Sequence, residues 1–385
     1  MMYLSEIGRA GWELAVDRLK QLSFEIGPIR PPSEGGSFSL LLRATRNCPW
    51  NRCAFCTSYK HKRFELRSVA EIKADIDSAR AISDEIEALS WKLGYAGELV
   101  PLSAIIQSNV LYGKDSRYLT GEELKNFTCL VNVFNWLCAG GKTAFLQDAN
   151  TPIMRTHQLV EVIRYLKETF PSIERVTSYA RSKTITQKKP EELSQLHQAG
   201  LSRLHIGLET GDDELLSYID KGVTAQEHIA AGKKALEAGF ELSLYVMPGL
   251  GGRSKSVQHA RNTARVLNEI NPHFIRLRPF VPREGTPLFE DYQKGEFGLT
   301  SPHERLREIR LMVENLQVTS RVCFDHSLNP SYWSGDSLIP LLKPDYDGYK
   351  LPEEKERVLA LINQGLQLDE NSFLDTRDKV NGPHL

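Results

Sequence analysis

Residues Leu204 to Gly252 read LHIGLETGDDELLSYIDKGVTAQEHIAAGKKALEAGFELSLYVMPGLGG. The β-rich run Leu204–Glu209 is followed by a helical stretch, Thr224–Ala238, and then by a second β-rich run, Glu241–Met247. Gly239 stands where a helix ends on a left-handed residue, so the helix has a stop signal of its own. A strand, a helix and a strand in close succession make the two strands parallel neighbours, because a parallel pair needs a crossover between them.

The same unit recurs on both sides. Further β-rich runs fall at Ser37–Arg43, Thr143–Gln147, Arg175–Ala180 and Phe274–Pro279. Helical stretches lie at Val69 to about Trp91, Met154–Phe170, Pro190–Ala199 and Lys255–Ile270. The class is therefore α/β with a parallel sheet, either an open doubly wound sheet or part of a barrel. Six units are too few for a complete eightfold barrel. One connection is long: roughly 50 residues around LGYAGELVPLSAIIQSNVLYGKDSRYLTGEE (93–123) form an insertion of the kind that serves as a lid or an added subdomain. Before the first strand come a helix and the connector GPIRPPSEGG (27–36). After Pro287 the pattern turns to helix, an irregular aromatic stretch and a further helix, Pro352–Leu366.

The 48 basic and 49 acidic residues nearly cancel, which gives no overall electrostatic case for nucleic acid or an anionic membrane. No apolar run approaches the roughly 20 residues of a membrane span, and the N-terminal residues carry acids early, unlike a signal or transit peptide. A cytoplasmic protein is expected. Six cysteines in 385 residues are no disulfide framework, but three of them crowd into nine residues, which points to metal.

That trio lies in RATRNCPWNRCAFCTSYK (43–60), directly after the first strand, at the edge where α/β sheets place ligands. Cys48, Cys53 and Cys56 are soft ligands suited to an iron–sulfur cluster or to zinc. Three thiolates on a cubane leave one iron open to a ligand that is not protein. A Cys3His zinc site completed by His61, five residues beyond Cys56, is the alternative.

A cysteine trio ending Cys-x-aromatic-Cys, after the first strand of a repeated βα pattern, resembles the radical S-adenosylmethionine superfamily. Four residues and then two separate the cysteines here, where three and then two are commonest. The stretch 204–252 resembles the branch containing oxygen-independent coproporphyrinogen oxidase, the methylthiotransferases and the cobalamin-dependent members. The resemblance covers about 37–290. It implies a partial (βα)6 TIM-like barrel over 37–290, with an insertion at about 92–140, an N-terminal helical extension over 1–36 and a mostly helical C-terminal extension over 291–385.

The resemblance also implies the cofactors: a 4Fe–4S cluster on Cys48, Cys53 and Cys56, and S-adenosylmethionine on the open iron. Phe55 would lie beside the cofactor. In FLQDANTPIM (145–154), Asp148, Ala149 and Asn150 occupy the turn that meets the amino group of S-adenosylmethionine; read by itself, this is an Asx-type turn before a helix. Glu209, at the end of the fourth strand, would meet the cofactor, and Lys221 its carboxylate. By themselves these are a helix N-terminal acid and a solvated lysine. Tyr179 and Arg181 (in TSYARSK, 177–183) and Tyr245 are further contacts that the resemblance implies.

The implied activity is reductive cleavage of S-adenosylmethionine to a 5′-deoxyadenosyl radical, which takes hydrogen from a small-molecule substrate. An electron donor such as flavodoxin or ferredoxin is the implied partner; the apolar runs are too short for a membrane, and the neutral charge argues against nucleic acid. Two readings compete: a tRNA- or protein-modifying enzyme of the same branch, and a non-catalytic zinc, cluster or haem carrier. Cys129, Cys138 and Cys323 read as small buried hydrophobes, and Cys323, in RVCFDHS, is also the candidate hydrogen donor or substrate contact. Arg276, Arg278 and Arg283 can hold an acidic substrate, or serve ordinary solvation and ion pairing. The aromatic stretch Phe324, Tyr332, Trp333, Tyr346 and Tyr349 can close over a ligand or pack under a loop.

Overall fold

The computed structural model describes residues 16–29 and 38–380. Most of the expected 27–36 connector and the first residues of the N-terminal extension lie outside them. The chain divides into two compact units. One comprises the residues up to Arg46, Glu65–Ser178 and Gln198–Leu201; the other comprises Asn47–Phe64, Tyr179–His197 and Ser202 onward.

In the first unit β1 (Leu40–Arg43) is followed by a small antiparallel pair, β2 (Thr45–Arg46) with β3 (Glu65–Leu66). β4 (Thr143–Gln147) runs parallel to β1, and β5 (Arg175–Ala180), whose first four residues belong to this unit, runs parallel to β4. The helix Val69–Lys92 starts on a capping box, with Ser68 and Glu71 satisfying each other's backbone N–H groups. The insertion resolves into an irregular stretch with short helical turns and then an 18-residue helix, Gly121–Cys138. That helix covers the outer side of β1. The Asn132 side-chain amide accepts from Leu41 N–H at 3.0 Å and donates to the Ser39 carbonyl at 2.9 Å, as a neighbouring strand would. Cys129, on the same buried face, donates its S–H to the Phe24 carbonyl at 3.2 Å. Cys138 departs from the expectation. It is exposed, because the last turn of the helix carries it off the face defined by Cys129, Val133 and Trp136.

In the second unit β6 (Leu201–Glu209, which belongs to this unit from Ser202 on), β7 (Glu241–Val246) and β8 (Phe274–Leu277) are parallel, in register Gly207–Tyr245–Arg276. The six strands read from the sequence are all present, in a mixed α/β fold with a parallel sheet core. The helix Ala225–Glu237 opens on a second capping box, Thr224 with Glu227.

The C-terminal region contributes more than helices. β9 (Arg321–Cys323) extends the parallel order beyond β8, and β12 (Tyr349–Lys350) closes it antiparallel. β10 (Ser331–Ser334) and β11 (Ser337–Pro340) form a hairpin. Strands of two to four residues carry too little periodicity to be read from sequence. Among the described residues no helix is long and apolar enough to cross a membrane.

Candidate functional site

The cysteine loop belongs to the second unit, and two anchors hold it there. Ala54, between Cys53 and Cys56, is buried in an apolar cluster with Leu215, Ile219, Leu250 and Phe280. Its N–H donates to the Ile219 carbonyl at 2.8 Å, and its carbonyl accepts from Leu288 N–H at 3.1 Å. Trp50 is the second anchor. Its indole N–H donates to the Asp220 carbonyl at 2.6 Å, and the guanidinium carbons of Arg52 and Arg181 each lie 5.0 Å from its ring. Between the anchors Asn51 takes a left-handed φ of 51°, and this loop absorbs the four-residue cysteine spacing. Asn47, also left-handed, donates to the Arg63 carbonyl at 2.6 Å and ties the two ends of the loop together.

Trp50 has room because residue 222 is glycine. Gly222 has φ +69°, and a Cβ there would overlap the indole ring. A Gly222→Ala chain is expected to lose about 1–3 kcal/mol of stability, from overpacking and from the left-handed backbone together. Chemical denaturation followed by tryptophan fluorescence measures it; unchanged stability would show that the loop does not depend on this contact.

The turn that receives Trp50 also presents Lys221. Its Nζ lies 2.7 Å from Glu209 Oε1, and each side chain is only 12% exposed. Glu209 ends β6 at a register shift and holds a left-handed φ of 63°. Bulged, left-handed residues of this kind re-aim a side chain at a sheet edge. Gly207 leaves the space, since a Cβ there would fall on Glu209 Oε1 and 3.0 Å from Lys221 Nζ. Burial pulls the Lys221 pKa down, but the negative charges of Glu209 and of a Cys53 thiolate more than offset it, and the net shift is upward.

Arg181 donates to the Lys221 carbonyl at 2.6 Å. Burial lowers its pKa against the opposing pull of Cys48 and Cys53. Lys221 also lies 5.8 Å from the Phe55 ring centroid. The structure thus brings Cys48, Cys53, Phe55, Arg181, Glu209 and Lys221 within reach of one another, and Cys56 follows on the same loop, its N–H donating to the Cys53 carbonyl at 3.2 Å. Sequence reading missed Trp50; its place inside the cysteine interval was the only signal.

Tyr179 and Tyr245 meet each other and a residue that was not expected, His205. Their ring centroids are separated by 5.9 Å (Tyr179–His205), 6.3 Å (Tyr179–Tyr245) and 5.5 Å (His205–Tyr245). Burial raises the Tyr179 pKa well above its usual value.

Asp148, Ala149 and Asn150 lie in the first unit. Asp148 is fully buried, and Arg43 Nη2 binds its Oδ2 at 2.6 Å. The carboxylate expected to receive an ammonium is therefore engaged in an ion pair. Parallel pairing explains it: Arg43 and Gln147 are register partners, so the C-terminal end of β1 delivers a cation beside the residue that follows β4. Cys323 is buried, donates its S–H to the Tyr346 carbonyl at 3.4 Å, and has its pKa pushed up to about 12, chiefly by burial.

The donor set suits a cluster. It offers three thiols on one loop, with two cations (Arg181 and Lys221) beside them to offset the negative charge of thiolates. Burial pushes the Cys53 pKa up to about 11, and Lys221 and Arg181 pull against it. Each cluster thiolate binds a different iron, whereas all zinc ligands converge on one point. Among the described residues no three His, Cys, Asp or Glu side chains converge in that way, and His61 is exposed.

Comparison with known proteins gives one family match, two relatives by sequence and two similar solved structures. Residues 131–263 match the Radical SAM superfamily model. Over 108 residues, 28% of this chain and 20% of the other, the sequence is 26% identical to the tRNA uridine(34) acetyltransferase of Methanocaldococcus jannaschii. Over 207 residues, 51% of this chain and 54% of the other, it is 22% identical to the heme chaperone HemW of Bacillus subtilis, a likeness that supports the branch read from the sequence. The chain thus spans about a fifth of the first relative's length and about half of the second's. Among solved structures it is similar to methylornithine synthase PylB, with TM-score 0.43 and 15% identity over 85% of this chain and 75% of that one. It is also similar to coproporphyrinogen III oxidase HemN from Escherichia coli, with TM-score 0.41 and 13% identity over 80% and 55%. The Radical SAM superfamily uses a 4Fe–4S cluster and S-adenosylmethionine.

Proposed function

We propose that this chain, which carries a radical SAM domain, is an enzyme that holds a 4Fe–4S cluster on Cys48, Cys53 and Cys56 and turns S-adenosylmethionine against a small-molecule substrate. The bound cofactors together supply a 5′-deoxyadenosyl radical able to take hydrogen from carbon. The chain's own residues position, neutralise and shield. Lys221 offers a cation for the carboxylate of S-adenosylmethionine, and Glu209, bent back by its left-handed backbone, offers an acceptor beside it. Trp50 and Ala54 hold the cysteine loop against that pair. Tyr179, His205 and Tyr245 wall the sheet face with rings that exclude water. The reducing electron comes from a flavodoxin- or ferredoxin-type donor in the cytoplasm. The observation that carries this reading is that one compact unit assembles the cysteine loop, Arg181, Glu209 and Lys221.

Anaerobic reconstitution with iron and sulfide, then reduction with dithionite in the presence of S-adenosylmethionine, is expected to yield 5′-deoxyadenosine and methionine. A chain that holds one zinc and releases no 5′-deoxyadenosine would overturn the reading. The likeness to a tRNA uridine(34) acetyltransferase favours a second reading, a radical enzyme acting on tRNA. Saturable binding of bulk tRNA by the reconstituted chain would establish that substrate class in place of a small molecule.

A further inference from the structure

The C-terminal edge of the second unit carries a set of groups that the cofactor reading leaves unused. Three arginines follow one another from β8. Arg276 is already engaged: its Nη1 lies 3.1 Å from Asp325 Oδ2, with side-chain exposures of 2% and 3%. Its Nε also donates to Ser243 Oγ at 3.1 Å. Arg278, two residues on and past the end of the strand, is exposed. Its backbone N–H donates to the Val246 carbonyl at 2.8 Å, but among the described residues its guanidinium has neither a carboxylate nor a carbonyl partner.

β9 runs parallel to β8 with Arg276 and Cys323 in register, so the strand ends that carry Arg278 and His326 are neighbours, and Arg278 acts electrostatically on Tyr179, Arg283 and His326. Arg283 donates to the Lys379 carbonyl at 2.9 Å, which fixes its side chain. His326 accepts the Leu328 N–H on Nδ1 at 3.2 Å, so its neutral ring carries the proton on Nε2 as a donor. Burial, then Arg278 and Arg283, pushes the His326 pKa down to about 4, so the ring is that neutral donor near pH 7. Two guanidinium groups and an N–H donor lie at this edge, where the buried Asp325 carboxylate already belongs to Arg276. Like charges held together repel, and an anion relieves the repulsion with charge-assisted hydrogen bonds.

We propose that Arg278, Arg283 and His326 hold the anionic group of the substrate, a carboxylate or a phosphate, while its apolar body lies against Tyr179 and Tyr245. Naming that anion as substrate rests on the function proposed above; the site itself does not.

The test is calorimetric titration of the full-length, iron-free chain with succinate and with inorganic phosphate, at constant ionic strength. One of the two is expected to bind in the millimolar range, and its identity tells carboxylate from phosphate. Arg278→Gln is expected to weaken binding about tenfold or more. His326→Gln should weaken it as well, and it keeps the test decisive if the first variant folds poorly. Arg261→Gln, an exposed arginine on the helix Gly252–Ile270, serves as the control and should bind as the wild type does. Failure of both anions to bind, or equal affinity in the wild type and the Arg278 and His326 variants, overturns the proposal. Formation of 5′-deoxyadenosine by the reconstituted wild type is scored separately. Its failure alone removes the enzymatic reading and leaves the anion site standing, and the converse holds.

Discussion

After anaerobic reconstitution a Cys53→Ala chain is expected to retain about a tenth or less of the wild-type iron and sulfide, and to lose the visible absorbance of the cluster. The cysteine loop has three thiols and no fourth, so each is answerable for one iron. Cys129 and Cys323 are no substitutes, since both are buried with their S–H groups committed to backbone carbonyls. Stability in the absence of metal should change little. The loop is held by the Ala54 backbone and the Trp50 indole, neither of which the substitution touches. Iron and acid-labile sulfide analysis, with the electron paramagnetic resonance spectrum of the reduced protein, checks the result. A full 4Fe–4S signal from the variant would remove Cys53 from the ligand set. A wild type that binds one zinc and loses it in a His61→Ala variant would support the Cys3His alternative.

Lys221→Met is expected to be the most destabilising single change at the site, by about 3–5 kcal/mol, because it strands a nearly buried carboxylate. Glu209 cannot swing out to water cheaply, since its backbone is left-handed and its side chain is folded over Gly207. The double variant Glu209→Gln with Lys221→Met should recover most of that loss, because no charge is then left in the pocket, yet it should still fail to bind S-adenosylmethionine. The contrast separates the ion pair's structural role from its role in binding. The sign of the pH dependence follows from the raised pKa of Lys221. The stabilisation is fully present below the unfolded lysine value of about 10.4 and is lost as pH rises through the higher folded value. The difference between wild type and Lys221→Met should therefore be flat between pH 7 and about 9 and shrink above about 10. Urea denaturation across that range measures it, and a variant within about 0.5 kcal/mol of wild type would show that the pair contributes no net stability.

Much of this architecture was legible in the residue pattern because the signals are local. Each of the six β-rich runs became a strand, and Gly239 ended its helix as read. Glu209 and Lys221 were named on opposite sides of a short helix, and they meet at 2.7 Å. The pairing of Arg43 with Asp148 was not legible, because it depends on which strand ends lie side by side. Nor was the division of labour between Arg276 and Arg278. Alternation places both on one face, but only the addition of β9 brings Asp325 against the first and leaves the second, among the described residues, without a counter-ion.

By itself, then, the sequence determined the parallel α/β class and the cysteine loop after the first strand, while Glu209 and Lys221 were named through the family resemblance. Period, turn chemistry and motif spacing act over a few residues, and these features need nothing more. Only the tertiary structure decided which charges are spent and which are available. A buried charge is settled by whatever partner lies within a few ångströms, and across strands that partner comes from anywhere in the chain. Trp50 and Gly222 make the same point, for their fit depends on shape across 172 positions of sequence, and no local pattern records it.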